Sequence, residues 1–345
     1  MSATETEIAQ LGEFGLIEHL TKESVTRNES TVKSVGDDAA VLRYGDKETL
    51  VTTDLLLEGI HFDLTYCPLK HLGYKAAVVN FSDIYAMNGT PRQITVSLGI
   101  SKRFTVEHIE ELYAGIRLAC EMYGVDLVGG DTSASVTGLL ISITCLGDAM
   151  RDDVVYRSGA HDTDLICVSG DLGAAYMGLQ LLERERVVSK EHQGEEDFHP
   201  AFEGREYLLE RQLKPEARRD VIEELRSIGV RPTAMMDVSD GLSSELLHIC
   251  KASGVGCRVY EERIPIDYQT AVQAEEFGMN LVTAALNGGE DYELLFTVPL
   301  ADHEKVAAMK TARIIGRITK PELGCYLESR DGNEIAIRAQ GWKAF

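Results

Sequence analysis

Carboxylate side chains recur along this chain beside glycines or hydroxyl groups, in a pattern that could bind a hard metal ion. In chain order the segments are Gly36-Asp37-Asp38-Ala39, Thr52-Thr53-Asp54, Asn80-Phe81-Ser82-Asp83, Gly129-Gly130-Asp131-Thr132, Asp237-Val238-Ser239-Asp240 and Gly288-Gly289-Glu290-Asp291. Mg²⁺ takes oxygen ligands and is usually held by a few carboxylates together with substrate phosphates. We expect these segments, which we place mostly in loops, to converge on a polyphosphate site with several Mg²⁺ ions. The chain would then transfer phosphoryl groups without a P-loop.

Most of these segments also have an ordinary structural interpretation. Asp37 could belong to a turn between two strands, where Gly and Asp are common. Asp54 or Asp240 could begin a turn or cap a helix. Asp83 is harder to explain in this way, because it lies with Asn80 in an otherwise apolar stretch. A buried carboxylate is costly unless it is paired or bound to a metal ion.

Three further side chains could contact a substrate. Arg157 could clamp a phosphate with two hydrogen bonds, or form a surface salt bridge with Asp153 or Asp162. His61 could contact a phosphate, although an isolated histidine is more often structural. Trp342 could pack in the core or stack on a cation.

The segments are predicted to lie among alternating strands and helices. Strands are expected at 49–53, 94–100, 126–128, 139–146, 165–168, 234–238 and 292–298, and helices at 69–87, 106–123, 173–185 and 242–252. Spacing places Asn80 and Asp83 on one helix face. This pattern predicts an α/β (α+β) architecture with helices covering a sheet. A polar stretch at 147–163 suggests two domains, 1–150 and 151–345, and the charged stretch 183–206 is predicted to be an exposed excursion.

Composition limits the function classes. The chain has 345 residues, 44% of them hydrophobic and 26% charged, which is ordinary for a globular protein. Its formal net charge of −22 disfavours nucleic acid and anionic membranes as partners. An anionic substrate would also be repelled, unless metal ions reversed the local charge. No stretch approaches the roughly 18 apolar residues that span a membrane.

Cysteine usage and the first residues favour a cytoplasmic protein. The seven cysteines are odd in number, scattered and never in C-x-x-C spacing, which argues against a disulfide framework or a zinc site. The first seven residues are polar and acidic, unlike a secretory signal peptide.

Common phosphate-binding motifs are missing from the sequence. The dipeptide Gly-Lys is absent, so there is no Walker A motif, and neither G-x-G-x-x-G nor the H-R-D of protein kinases occurs. Phosphate binding would therefore depend on a different arrangement.

Eight motifs in order resemble those of the bacterial thiamine-monophosphate kinases, over essentially the whole chain. They read GDDA, TTDLLLEGIHF, NFSDIYAMNGTP, LVGGDT, YRSGA, MDVSDGL, NGGEDYEL and a terminal GW. That family belongs to the aminoimidazole ribonucleotide synthetase superfamily. The resemblance implies an N-terminal α/β domain whose sheet forms a barrel-like homodimer, and a C-terminal α/β domain. It also implies transfer of the γ-phosphoryl group of ATP to thiamine monophosphate.

The resemblance implies roles for particular residues. The implied Mg²⁺ ligands are Asp37, Thr52, Thr53, Asp54, Asp83, Asp131, Asp237 and Asp240. The implied ATP contacts are Gly130, Asp131, Arg157, Ser239 and Tyr113. Contacts to thiamine monophosphate are implied for His61, Glu290 and Trp342. Asp131, Asp83 and Arg157 are expected to matter most for catalysis.

Other functions stay open from the sequence. Selenophosphate synthetase and the purine-pathway ligases belong to the same superfamily, but a selenophosphate synthetase would be expected to carry a reactive cysteine near its N-terminus, and the first one here is Cys67. A metal-dependent phosphohydrolase would turn ATP over without an acceptor. A catalytically dead nucleotide-binding scaffold would be free to lose some of the candidate ligands, all of which are present.

Overall fold

The computed structural model describes residues 15, 17, 18, 21, 27–191 and 201–340, most of which belong to two sheets and the helices that cover them. The strands are β1 Thr31–Lys33, β2 Ala40–Arg43, β3 Lys47–Leu57, β4 Thr90–Ile100, β5 Asp126–Ala134, β6 Leu139–Met150, β7 Leu165–Ser169, β8 Ala234–Asp237, β9 Gly256–Tyr260, β10 Leu294–Val298, β11 Ala312–Thr319, β12 Cys325–Glu328 and β13 Glu334–Ala336. The helices are α1 Leu69–Ala86, α2 Val106–Tyr123, α3 Ala174–Glu191, α4 Glu206–Leu213, α5 Arg219–Ser227, α6 Leu242–Ser253, α7 Tyr268–Glu276, α8 Leu281–Asn287 and α9 His303–Ala307.

The first sheet has the strand order β1-β2-β3-β6-β4-β5. β6 pairs antiparallel with both β3 and β4, and β5 runs parallel to β4 along one edge. Buried side chains alternate along β6, where Leu139, Ile141, Ile143 and Cys145 face the core. This period of two is expected for a sheet with one covered face.

Two helices cover that face. α1 is buried along nearly its whole length because it lies between the sheet, α2 and the end of β8. Glycines allow the close contact of α1 with α2: a Cβ atom on Gly73 would lie 1.9 Å from the carbonyl oxygen of Leu112, and one on Gly115 would lie 1.9 Å from that of Lys70. α1 therefore stands at the junction of the two halves.

The second sheet has the order β13-β12-β9-β11-β7-β10-β8. Its strands are antiparallel except for the parallel pair β9 and β12. Every residue of β7, β8 and β10 is buried, in keeping with their nearly continuous apolar sequences. β8 is an edge strand, and its last residue, Asp237, reaches the side of α1, where Ser82 contacts it.

The mixed α/β fold with two sheets is confirmed, and helices 69–87 and 106–123 are found within one residue of their predicted bounds. Several strand boundaries were wrong, since β4 begins at Thr90 and not at residue 94, and β6 continues past residue 146 to Met150. β3 does not end before Asp54 but continues to Leu57, because its pairing with β6 persists. Segment 129–132 is not a loop either: it lies inside β5, where it pairs with 95–98 of β4.

The predicted excursion at 183–206 is wrong for its first part. α3 continues to Glu191, and Glu185 is buried, where it accepts hydrogen bonds from Arg184 and from the backbone of Ala201. Residues 192–200 lie outside the described part of the chain.

Three further expectations concern the whole chain. Over the described residues, the first sheet has β1 and β5 as edges and does not close by itself, so the barrel with a second subunit stays a prediction. The division at residue 150 likewise stays a prediction. Among the described residues, none of the helices combines the length and apolar character needed to cross a membrane.

Candidate active site

A cleft of about 920 Å³ lies where the two halves meet, and most of the predicted site residues line it. Those are Asp37, Thr52, Thr53, Asp54, His61, Asp83, Arg157, Asp237, Ser239, Asp240 and Glu290. The walls come from the β1–β2 connection, β3, α1, the segment after β8 and the segment before β10. The cleft has the size of a small-molecule site.

Three carboxylates, which we call the acidic cluster, meet on one side of the cleft. Oxygen atoms of Asp38, Asp83 and Asp237 lie within 4.8 Å of one another. Asp38 comes from the β1–β2 connection, Asp83 from α1 and Asp237 from the end of β8. Both sheets and the helix between them therefore contribute to the cluster.

Neighbouring side chains fix the orientation of each carboxylate. The Thr52 hydroxyl donates a hydrogen bond of 2.6 Å to Asp83, and the Ser82 hydroxyl donates one of 2.5 Å to Asp237. The guanidinium of Arg157 donates to both oxygens of Asp38, at 2.7 and 3.2 Å. The cluster is thus held in place before any ligand arrives.

Burial and mutual repulsion disfavour the ionised cluster. Burial, followed by the charge of Asp38, raises the pKa of Asp237 to about 7. Burial, with the charges of Asp54 and Asp237, raises the pKa of Asp83 well above its usual range. The pKa of Asp37 rises to about 6 through burial and the adjacent Asp38 carboxylate. A bound cation would remove this penalty, so the donor set fits Mg²⁺.

β3 presents different residues to its two faces. Thr52 lies on the same face as Asp54, and the Asp54 amide donates to Asn80 Oδ1 at 3.2 Å. Asn80 and Asp83 therefore share one face of α1, as predicted. The Thr53 hydroxyl instead donates to the carbonyl of Ile143 on β6, at 3.1 Å.

The Gly-Gly-Glu segment is held in an unusual backbone conformation against the segment that follows β8. Glu290 and Tyr292 have φ of 58° and 51°, in the left-handed region that side chains seldom adopt. Their amides donate to the carbonyls of Ser239 and Val238, at 2.7 and 2.9 Å. This pairing places Glu290 beside Ser239 at the cleft.

A buried lysine that the sequence analysis missed supports Glu290. Lys75 in α1 has a side chain only 6% exposed, and its ammonium lies 3.1 Å from Glu290 and donates to the Gln212 carbonyl at 2.9 Å. The Gln212 side chain donates to the other Glu290 oxygen at 2.7 Å. A lysine within an apolar helical stretch was the signal that could have identified it.

The cationic groups that line the cleft are already paired with carboxylates. The pairs are Lys75 with Glu290, Arg157 with Asp38, and Arg186 with Asp63 and Glu183. Because this positive charge is compensated, a polyphosphate would need further cations at the acidic cluster.

Asp38 is a second residue whose place in the site the sequence analysis missed. Its motif was recognised, but the role was assigned to Asp37. In the structure Asp37 accepts the backbone amide of Arg157 at 3.0 Å, whereas Asp38 belongs to the acidic cluster. Adjacent carboxylates on one turn point in different directions, which spacing alone does not reveal.

His61 lines the cleft, and its Nδ1 accepts the backbone amide of Leu57 at 3.0 Å. Trp342 lies outside the described residues.

Three predicted ATP contacts lie away from the cleft within this chain. Gly130 and Asp131 are exposed on β5, which two intervening strands separate from β3 by roughly 14 Å. Gly130 is required there for packing, since a Cβ atom would lie 1.9 Å from the Val96 carbonyl oxygen. Tyr113, in α2, packs against a hydrophobic core cluster to which both halves contribute.

Known proteins are similar to this chain over nearly its whole length. The family models for AIR synthase related proteins match residues 36–149 (N-terminal domain) and 165–327 (C-terminal domain). The thiamine-monophosphate kinase of Aquifex aeolicus is 35% identical over 98% of this chain and 99% of its own length. That of Bacillus subtilis is 35% identical over 84% of each.

A solved structure extends the similarity to three dimensions. AaThiL complexed with AMPPCP and TMP matches with a TM-score of 0.84 and 35% identity, over 99% of this chain and all of that one. These matches show that the chain belongs to the thiamine-monophosphate kinase family, among the proteins related to AIR synthase.

Proposed function

We propose that this enzyme transfers the γ-phosphoryl group of ATP directly to the phosphate of thiamine monophosphate, which gives thiamine diphosphate and ADP. The observation that carries the proposal is the acidic cluster of Asp38, Asp83 and Asp237 in a cleft of suitable size. Membership of the family and a relative that binds AMPPCP and TMP support the choice of substrates.

Eight of the nine proposed Mg²⁺ ligands line the cleft that holds the acidic cluster. They are Asp37, Asp38, Thr52, Thr53, Asp54, Asp83, Asp237 and Asp240, with Asp131 as a ligand from outside the cleft. Bound there, Mg²⁺ would neutralise phosphate charge and align the two substrates. Thr52, Ser82 and Arg157 hold the carboxylates in place for this purpose.

Substrate contacts follow the remaining walls of the cleft. Arg157 and Ser239 are proposed to bind ATP, and His61 and Glu290 to bind thiamine monophosphate, together with Trp342. Gly130, Asp131 and Tyr113 are retained as ATP contacts. Since they lie outside the cleft of one chain, the nucleotide must extend toward β5, or a second subunit must contribute them.

The transfer requires alignment more than a strong base. An oxygen of the acceptor phosphate forms a bond to the γ-phosphorus of ATP, while the bond from that phosphorus to the β–γ bridging oxygen breaks and ADP leaves. A phosphate monoester has a second pKa near 6, so the acceptor is already largely dianionic at neutral pH. Positioning and charge compensation by the cleft residues are then the main demands.

We further propose a homodimer that uses the edge strand β5. Among the described residues β5 pairs with β4 alone, and all nine of its residues are exposed, including Leu127 and Val128. An exposed edge strand of this kind favours association. Sedimentation equilibrium at micromolar concentration should give twice the chain mass, and a monomer would exclude this part of the proposal.

A label-transfer experiment tests the reaction. The enzyme is incubated with γ-labelled ATP and Mg²⁺, first alone and then with thiamine monophosphate. We expect no labelled protein in the first step, and labelled thiamine diphosphate in the second.

Two other outcomes would contradict the proposal in different ways. Labelled protein formed from ATP alone would replace direct transfer by a phosphoenzyme route. Labelled inorganic phosphate that forms equally without the acceptor would indicate a metal-dependent phosphohydrolase.

A further inference from the structure

Three cysteines that are far apart in the sequence meet in the second half of the chain. The Sγ atoms of Cys250, Cys257 and Cys325 lie within 4.8 Å of one another. Cys250 and Cys257 are buried and Cys325 is half-buried, and all three are free thiols. We call them the thiol cluster. They are absent from the described lining of the cleft, whose only cysteine is Cys67.

The backbone around the thiol cluster fixes its geometry. Cys257 and Cys325 are register partners on the parallel strands β9 and β12, so both side chains leave the same face of the sheet. The Cys257 amide donates to the Gly324 carbonyl at 3.0 Å. Arg258 Nη1 also donates to the carbonyls of Cys257 and Leu323, at 3.2 and 3.0 Å. These bonds hold the two strands at a set distance.

A tight turn brings the third thiol to the other two. α6 ends at Ser253, and Gly254 follows with φ of 67°. The amides of Gly254 and Val255 both donate to the carbonyl of Cys250, which reverses the chain into β9. Cys250 is thereby placed over Cys257, seven residues later.

Distances and surroundings match a thiolate metal site. Zn–S bonds are about 2.3 Å, so sulfurs in a tetrahedral site are roughly 3.8 Å apart. Since the three sulfur atoms lie within 4.8 Å of one another, metal binding requires each pair to approach by about 1 Å at most. Cys250 and Cys257 belong to the apolar core of the second half, whereas the half-buried Cys325 opens toward solvent. Soft thiolates in such a setting select d¹⁰ cations such as Zn²⁺ over Mg²⁺.

We propose that Cys250, Cys257 and Cys325 form a binding site for one thiophilic d¹⁰ cation, with Zn²⁺ as the commonest candidate, separate from the acidic cleft. The fourth position is open to water on the Cys325 side. On binding, each thiol releases its proton to the solvent and no electron is transferred. The bound ion links α6, β9 and β12.

The test uses Cd²⁺ as a spectroscopic probe on the full chain, kept reduced with a phosphine. Saturating Mg²⁺ is present throughout, so that the acidic cluster is occupied by a hard cation. We expect one equivalent of Cd²⁺ per chain, with the near-ultraviolet charge-transfer absorption of Cd–thiolate bonds. Zn²⁺ affinity is then measured by competition with a chromophoric chelator.

Two variants separate the thiol cluster from other cysteines. Cys325→Ser changes the half-buried ligand, which the fold tolerates best, and should weaken Zn²⁺ binding by about 100-fold or more and reduce the charge-transfer band. Cys120→Ser changes a buried cysteine in α2, outside both sites, and should bind as the unaltered protein does.

Three results would overturn the proposal. The first is the absence of a charge-transfer band in the unaltered protein, and the second is an equal affinity in Cys325→Ser. The third is a disulfide among these cysteines that forms in air in the presence of excess Zn²⁺, which would identify a redox pair instead.

Discussion

At the residue scale, the buried carboxylates dominate the chemistry of the cleft. Burial and mutual repulsion oppose the ionisation of Asp83 and Asp237. Each carboxyl group nevertheless accepts a hydrogen bond from a hydroxyl group. Such an arrangement is costly for an empty protein, and perturbed carboxyl groups of this kind concentrate at functional sites.

Asp83→Asn should lower turnover by about 10²–10³-fold, because it removes an anionic ligand while the amide keeps the shape of the side chain. The fold without metal should be no less stable, since the substitution removes a carboxyl group whose ionisation is opposed by burial and by neighbouring charges. Steady-state ADP release and thermal unfolding measure the two effects.

Asp148→Asn is the matched control for Asp83→Asn. Asp148 lies on β6 outside the cleft and bridges Lys47 and Arg92 at the surface, so turnover should stay within about twofold. If both variants lost the same activity, the cluster would have no special role.

Lys75 and Glu290 should act as one unit. Lys75→Met removes the donor to the half-buried Glu290 carboxylate and to the Gln212 carbonyl, and should reduce the free energy of unfolding by about 1–3 kcal/mol. The loss should be smaller when Glu290→Gln is already present, so urea denaturation of the four proteins should give a clear coupling energy.

Lys47→Met breaks an exposed ion pair with Asp148 and serves as the control, with an expected loss below about 1 kcal/mol. Strict additivity of Lys75→Met and Glu290→Gln would show that the two side chains do not support each other.

Sequence reasoning could find Asp83 and could have singled out Lys75, but it could not identify the partner of Lys75 or the place of Asp38 in the cluster. An acid three residues after Asn80 in an apolar helix is conspicuous, because an unpartnered carboxylate there would be too costly. The partner of Lys75 is 215 positions along the chain, and nothing local announces it. The proximity of Cys250, Cys257 and Cys325 was not predicted for the same reason. Motif spacing does not detect residues that separate elements bring together.

At the scale of elements, the contact between the Gly288–Asp291 segment and the segment after β8 shapes one wall of the cleft. Gly289 has φ of 71°, and a Cβ atom there would lie 2.6 Å from the carbonyl oxygen of Ser239. The positive φ and the close approach of the Ser239 carbonyl therefore both require glycine at position 289.

Gly289→Ala should push residues 239 and 240 away and lower turnover by about 10–100-fold, because small displacements at a reacting centre are costly. Gly278→Ala is the control: Gly278 also has a positive φ of 62°, but nothing lies within 4 Å of its Cβ position. It should lose about 1–2 kcal/mol of stability and no turnover. Equal turnover in the two variants would refute the role of the contact.

Helices were predicted more accurately than strand ends. The bounds of α2 could be predicted from two local signals, namely the spacing of its apolar residues and the glycine that follows it, Gly124. β5 was cut short because Gly129 and Gly130 are typical of turns. Pairing with β4 overrides that preference, and β4 lies about 35 residues earlier in the chain.

At the scale of the whole molecule, the net charge of −22 and the raised pKa values couple stability to pH. The folded state keeps protons on Asp37 and Asp237 up to about pH 6 and pH 7, whereas the unfolded chain releases them near pH 4. The folded protein therefore binds more protons in between, and this contribution to stability is lost as pH rises from about 4 to 7.

Mg²⁺ should oppose that loss, because it binds the ionised carboxylates. We expect a larger rise in Tm on adding Mg²⁺ at about pH 7.5 than at about pH 5. Asp237→Asn should flatten the pH dependence. An equal Mg²⁺ effect at the two pH values would mean that the ion binds elsewhere.

The central claim is direct phosphoryl transfer to thiamine monophosphate in this cleft. The most direct measurement is ADP release from ATP and Mg²⁺, with and without thiamine monophosphate, followed by the mass of the product. The account predicts ADP release only with the acceptor, in equal amount to newly formed thiamine diphosphate. ADP release that is independent of the acceptor, or no turnover under either condition, would contradict it.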